Sequence, residues 1–243
     1  MKTLAIIPGL NVAQHVGNVV KRVPPQEVEG VLVVDDGSTD DTSGAARRAG
    51  AMVVRHEHNQ GVGAAIRTGI RYARDQGYDA VVILNAIGKY DPADVGTLLA
   101  PLRADRAELV QGSRFLEGGS HHGIPFKRRV GTRGYSLVFS AMLGHHVSDA
   151  SSGIRAFKTS LAEARGINLN QSWLDRYELE PYLLWKTIEC GHRVVEVPMR
   201  VEYPQGPRSS YTRMRPVQDW WHLVRPILKL TLARAGSGLH KDS

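Results

Sequence analysis

The sequence predicts an α/β fold, a mostly parallel sheet flanked by helices. Three observations point there. Short runs rich in Val, Ile and Leu recur along the first half of the chain. Segments with helical periodicity alternate with them. The apolar runs end in polar or acidic residues, as strand tips do where they border a ligand crevice.

In chain order, "TLAII" (3–7) reads as a buried strand closed by Pro8, and "VEGVLVVDD" (28–36) as a second strand ending in two acids. "AMVVRH" (51–56), "YDAVVILN" (78–85) and "AELVQGS" (107–113) read as three more. Between them, 41–50 reads as a helix with Ser38 or Thr39 as its N-cap. Residues 63–77 read as a helix with Ile66, Ile70 and Ala73 on one face and Gly77 at its end. "DPADVGTLLAPLRA" opens with Pro92 in the first turn, where the missing N–H costs nothing. The second half is less regular. Residues 129–143 and 173–191 read as helices, 192–203 alternates like one strand, and 218–236 reads as an amphipathic helix bent at Pro226.

With 243 residues the chain is expected to be one domain. Residues 1–113 would form a nucleotide-binding half and residues 114–243 an acceptor-side half. The single cysteine, Cys190, excludes an internal disulfide framework and a cysteine-rich metal site; it reads as a buried small residue. The N-terminal apolar run is too short for a signal peptide, and no run is long enough to span a bilayer. A cytoplasmic location is expected.

The formal charge is +7, with one basic group at Lys127, Arg128, Arg129 and Arg133 and another at Arg200, Arg208, Arg213 and Arg215. No nucleic-acid-binding signature accompanies it, so nucleic acid is not expected as a partner. The pairs His121–His122 and His145–His146 lack the spacing and the cysteine partners of a zinc site. His121 and His122 fall in a Gly-rich segment and are candidates for contact with an acceptor.

"VVDDGSTDDT" (33–42) is the most informative segment. Capping accounts for Ser38 to Asp41 but not for two acids at the end of a buried run. Together with "IIPGLN", "HNQGVGAAIRTGI", "DPADV", "QGSRF", "VSDASSGIRAF", "YELEPYLL" and "VVEVPMRV", in this order, it makes the chain resemble the family-2 glycosyltransferases, and among them the dolichyl-phosphate mannose synthase-like group. The resemblance runs over nearly the whole chain. It implies a GT-A fold and inverting transfer from a nucleotide sugar. It makes Pro8 and Asn11 part of the base pocket, and Asp35 and Asp36 the base- and ribose-binding acids. Arg114, with Arg128 or Arg129, would contact the diphosphate, and Arg213 would close over it from a loop.

The departures are informative. The family's aspartate-any-aspartate metal motif falls on Asn85, Ala86 and Ile87, a following glutamine on Lys89, and a usual glutamate on Val12. Isoleucine cannot coordinate a cation and a protonated lysine repels one. No cofactor is therefore expected to be required, with Lys89 supplying beside Asn85 the charge that a metal would give the leaving diphosphate. Mg2+ or Mn2+ would need Asp36 or Asp91 as replacement ligands.

A neutral hydroxyl acceptor needs a general base. Asp149 is the first candidate, with Glu180 and Asp175 behind it; Asp149 also has a structural reading, capping a turn with Ser151 and Ser152 or pairing with Arg155. The lost metal motif and Val12 lean the acceptor toward a small soluble molecule, taken through oxygen or sulfur, in secondary metabolism. Polyprenyl phosphate is the alternative, and a non-catalytic nucleotide-sugar-binding protein is the reading from another class. The mannose synthase resemblance favours GDP over UDP. A homo-oligomer is expected, and the helix carrying Trp220, Trp221, Leu223, Ile227 and Leu228 allows peripheral membrane contact.

Overall fold

β1 (Thr3–Gly9) lies between two parallel neighbours, and its register explains why it is almost wholly buried. It pairs in parallel with β2 (Gly30–Asp35) on one side and β4 (Ala80–Ile83) on the other. A parallel strand covered on both faces must be apolar throughout, and Leu4, Ala5, Ile6 and Ile7 all lose their solvent contact. Pro8 does not end the strand as the sequence suggested; it stays in register opposite Val34.

This is a computed structural model, and it describes residues 1–122, 124–202 and 218–238. The main sheet has seven strands in the order β3-β2-β1-β4-β7-β5-β8. Its remaining members are β3 (Met52–Arg55), β5 (Leu109–Ser113), β7 (Arg155–Lys158) and β8 (Val194–Pro198). β7 alone runs antiparallel, wedged between β4 and β5. The single strand expected over 192–203 is two strands among the described residues. β8 closes the main sheet beside β5, while β9 (Arg200–Glu202) leaves it to pair with β6 (Ser120–His122).

The helices cover both faces. On one side, α1 (Ala13–Arg22), α2 (Thr42–Arg48) and α4 (Val95–Arg103) pack over a cluster that includes Ile7, Val16, Val33, Val82 and Leu98. On the other, α3 (Val62–Asp75), α5 (Phe126–Leu143), α6 (Leu179–Glu189) and α7 (Gln218–Gly238) share a cluster with Ile6, Ile66, Phe139, Trp185 and Ile227. α2 starts after Asp41, and neither Ser38 nor Thr39 caps it. Cys190, at the end of α6, is half-buried against Gly166. No helix among the described residues is long and apolar enough to cross a membrane.

Candidate functional site

The C-terminal ends of β1, β2, β4, β5 and β8 and the first residue of β7 meet at one edge of the sheet, where α/β proteins form ligand crevices. The residues read from the sequence cluster along this edge, but several of them face inward.

Asn11 sits at positive φ (+50°) just after β1. Its side-chain oxygen accepts from the Thr39 amide at 2.7 Å, and its own amide donates to Ser38 Oγ at 2.8 Å. It therefore ties the turn after β1 to the turn after β2. Asp35 is completely buried; it accepts from the Ser38 amide at 2.8 Å and from the Ser43 hydroxyl, with Arg55 Nε 3.9 Å away. Asp36 accepts from His56 Nδ1 (2.8 Å) and from the amides of Gln60 (2.9 Å) and Gly61 (2.8 Å) at the entrance to α3. Negative charge is favoured at a helix N-terminus. Both carboxylates are thus held in place by the protein's own donors at the crevice edge.

The metal-motif positions do not fit a divalent cation. Asn85 turns its side-chain oxygen back onto the Ile87 amide (3.0 Å), in a turn that ends at Gly88 with φ +69°. Ile87 packs against the apolar cluster under α1 and α4. The replacement ligands are engaged as well. Asp91 pairs with Arg22 at 2.8 Å and caps the short helix at Pro92–Asp94 through the Ala93 amide, and Asp36 is held as described. Among the described residues no three His, Cys, Asp or Glu side chains gather to hold a metal.

Cations gather instead. Burial pulls the Lys89 ammonium down to a pKa of about 7, and the charges of Arg128 and Arg114 push the same way. The tip of β4, the end of β5 and the first turn of α5 therefore bring three positive side chains within electrostatic reach of one another. Arg129 lies one residue further along α5, half-buried, its guanidinium 5.5 Å from the centre of the Phe126 ring. Arg213 and the loop expected to carry it lie outside the described residues.

The three candidate bases are all embedded in contacts. Asp149 is completely buried and accepts from Arg114 Nε at 2.6 Å and Nη2 at 2.8 Å, and from the Arg114 amide at 3.1 Å. The partner suggested for it from sequence, Arg155, lies within electrostatic reach of Asp149 but spends its hydrogen bonds on carbonyls. Arg155 donates to the carbonyls of Glu180 (2.5 Å) and Ser152 (2.6 Å), and its Nε is buried without a hydrogen-bond partner. The turn reading of Asp149 holds, since Ser151 Oγ bonds its carboxylate at 3.1 Å. Glu196 of β8 fixes the same turn by accepting from the Ser148 amide at 2.8 Å. Asp175 is ion-paired with Arg67, and its carbonyl accepts the Ala64 amide of α3 at 3.0 Å. Glu180 faces Gly153; burial raises its pKa, and Arg155 opposes that rise. The glycines of "QGVG" pack closely against the segment around Asp175. At Gly63 the carbonyl oxygens of Leu174 and Arg176 occupy the space that a Cβ would need.

Sequence reasoning missed His56, which bridges Asp36 to Thr68 at 3.0 Å, and the anchor Glu196. Each lies in a different segment from the residue it positions, so no local pattern marks it.

The family model "Glycosyl transferase family 2" matches residues 5–166. The chain belongs to this family. An undecaprenyl-phosphate mannosyltransferase of Micrococcus luteus is 32% identical over 208 residues, 82% of this chain and 83% of that protein. A UDP-N-acetylglucosamine–dolichyl-phosphate N-acetylglucosaminyltransferase of Methanococcus voltae is 28% identical over 217 residues, 82% of this chain and 85% of that one. Among solved structures, glucosyl-3-phosphoglycerate synthase from Mycobacterium tuberculosis, in complex with Mn2+, UDP-glucose and phosphoglyceric acid, aligns with a TM-score of 0.70 at 24% identity. That alignment covers 97% of this chain and 80% of the synthase, and it carries the fold. This family-2 glycosyltransferase therefore has the GT-A architecture and is an enzyme.

Proposed function

We propose that this glycosyltransferase moves a sugar from a nucleotide sugar to a polyprenyl phosphate, with inversion and without a metal at the tip of β4. The observation that carries the reading is the commitment of its carboxylates. Two of the three candidate bases, Asp149 and Asp175, are spent on Arg114 and Arg67, and the third, Glu180, is packed against Gly153 beside Arg155, so none is seen poised to take a proton from a neutral hydroxyl. A phosphate acceptor is already anionic and needs no base. Its oxygen attacks the anomeric carbon from the face opposite the nucleotide, and the bond to the leaving diphosphate breaks as the new one forms. The electron pair passes to the diphosphate, where Lys89, Arg114 and Arg128 neutralise it.

The relatives named for undecaprenyl and dolichyl phosphate support the same acceptor class over the small soluble acceptor expected from the sequence. A GDP-sugar is the donor favoured by resemblance; the relative named for UDP-N-acetylglucosamine keeps UDP as the competing arm. The test offers purified protein GDP-mannose, UDP-glucose and UDP-N-acetylglucosamine, each with a detergent-dispersed short-chain polyprenyl phosphate, and separately with soluble alcohols and thiols. Lipid-phase product from one donor is expected. Product on the soluble acceptors alone overturns the acceptor. Nucleotide binding with neither transfer nor donor hydrolysis would make the protein a non-catalytic binder.

A further inference from the structure

α5 and α7 each carry an apolar stripe on the side that should be polar. In α5 the buried residues Thr132, Tyr135, Ser136, Phe139 and Leu143 form one face. Directly opposite, at helical spacing, stand Phe126 (68% exposed), Val130 (54%) and Leu137 (72%). In α7 the buried residues are Leu223, Ile227 and Leu230, and opposite them stand Trp221 (55%), Leu228 (46%) and Leu232 (71%). The two helices lie side by side and run the same way, because Tyr135 bonds the Leu223 carbonyl (3.0 Å) and Arg234 reaches the Leu143 carbonyl (3.3 Å). Both bury their inner faces in one core cluster, so both outer stripes look away from it.

We propose that this paired face of α5 and α7 docks on an anionic lipid bilayer. Large exposed apolar residues gathered on one side of a protein mark an interaction surface. The charges select the occupant. α5 contains no acidic residue and exposes Lys127 and Arg133 beside its stripe, and α7 exposes Lys229. An apolar stripe with flanking cations suits the boundary between acyl chains and anionic headgroups. A second copy of the chain on the same face would set these cations against their own counterparts. The N-terminal turn of α5 also carries Arg128, one of the charges acting on Lys89, so the docked face ends at the strand-tip cations. That last step rests on the acceptor reading above; the docking itself does not.

The test is sedimentation of the full chain, without donor or acceptor, with vesicles of phosphatidylcholine alone and with phosphatidylglycerol added. Binding to the mixed vesicles is expected, weakening with salt. Leu137→Glu and Leu232→Glu, at positions already more than two-thirds exposed, should each weaken it by roughly tenfold or more. Both should keep nucleotide affinity by calorimetry, which shows that they fold. Wild-type protein that ignores the mixed vesicles overturns the proposal. So does a concentration-dependent dimer that Leu137→Glu abolishes, since the face then belongs to a second copy. Transfer to detergent-dispersed polyprenyl phosphate reads the acceptor proposal separately and would survive either failure.

Discussion

Arg114 and Asp149 form a two-pronged ion pair, Nε to Oδ2 at 2.6 Å and Nη2 to Oδ1 at 2.8 Å, with both side chains buried. The pair joins the end of β5 to the turn before β7, and Ser151 Oγ accepts from the same guanidinium at 2.7 Å. Asp149 thereby orients a cation at the crevice. Asp149→Asn should leave Arg114 with an uncompensated buried charge and lower stability by about 3–5 kcal/mol. Chemical denaturation measures it. A variant that keeps wild-type stability and loses only turnover with a hydroxyl acceptor would instead make Asp149 the base.

The Lys89 ammonium, with a pKa of about 7, gives nucleotide binding a definite pH dependence. Above pH 7 the free site is increasingly neutral at Lys89. A bound diphosphate favours the charged form, so binding takes up a proton. Affinity for the nucleoside diphosphate should therefore fall as pH rises, by up to roughly tenfold per pH unit. The same depressed pKa bears on folding. Between about pH 7 and the ordinary lysine value the unfolded chain holds more protons, so this residue's contribution favours the folded state progressively as pH rises. Calorimetric titrations from pH 6.5 to 8.5 on the wild type and on Lys89→Met test the first effect. A slope unchanged in the variant assigns the proton to another group.

Gly63 lies at the start of α3, where the chain at 174–176 crosses it so closely that carbonyl oxygens fill the Cβ position. The crossing segment also gives its Asp175 carbonyl to the Ala64 amide. Gly63→Ala should force the two segments apart and cost about 1–3 kcal/mol. Thermal melts read the loss. Because Asp36 organises the same entrance through the amides of Gln60 and Gly61, nucleotide affinity should fall with it.

The sheet was legible because buried parallel strands must be continuous apolar runs, and 3–7, 28–36 and 78–85 are such runs. β7 was not, because four residues reading Arg-Ala-Phe-Lys carry no period, and their antiparallel place is set by β4 and β5 on either side. The single strand expected over 192–203 parts at Met199, whose amide bonds the Ser113 carbonyl at 2.8 Å; that contact is remote in sequence. In the site, position along the strand tips was legible and the internal partners of each side chain were not. Ser43 and His56, from other segments, hold Asp35 and Asp36, and no local pattern announces either partner. Lys89 stood out in the sequence only against the family's metal motif, and the structure adds its burial and the neighbouring charges of Arg128 and Arg114. The stripe on α5 was hidden because an apolar residue gives no sign of which face of a helix is buried.

The proposal that Lys89 stands in for a metal carries the sharpest prediction. Asn85 spends its oxygen on the Ile87 amide, Ile87 has no donor atom, and Asp91 is paired with Arg22. Nucleotide binding and transfer should therefore persist in excess chelator and change little on adding Mg2+ or Mn2+. Lys89→Ala should raise the transfer barrier by on the order of 2.7–4 kcal/mol, the usual loss when one preorganised charge stabiliser is removed. kcat should carry most of that loss, because the charge on the diphosphate grows as the sugar departs. Single-turnover rates in chelator, for the wild type and Lys89→Ala, decide it. If the wild type turns over only with metal, the leaving group is neutralised by a cation that other acids hold. If Lys89→Ala turns over at the wild-type rate in chelator, the arginines suffice and Lys89 has no part in departure.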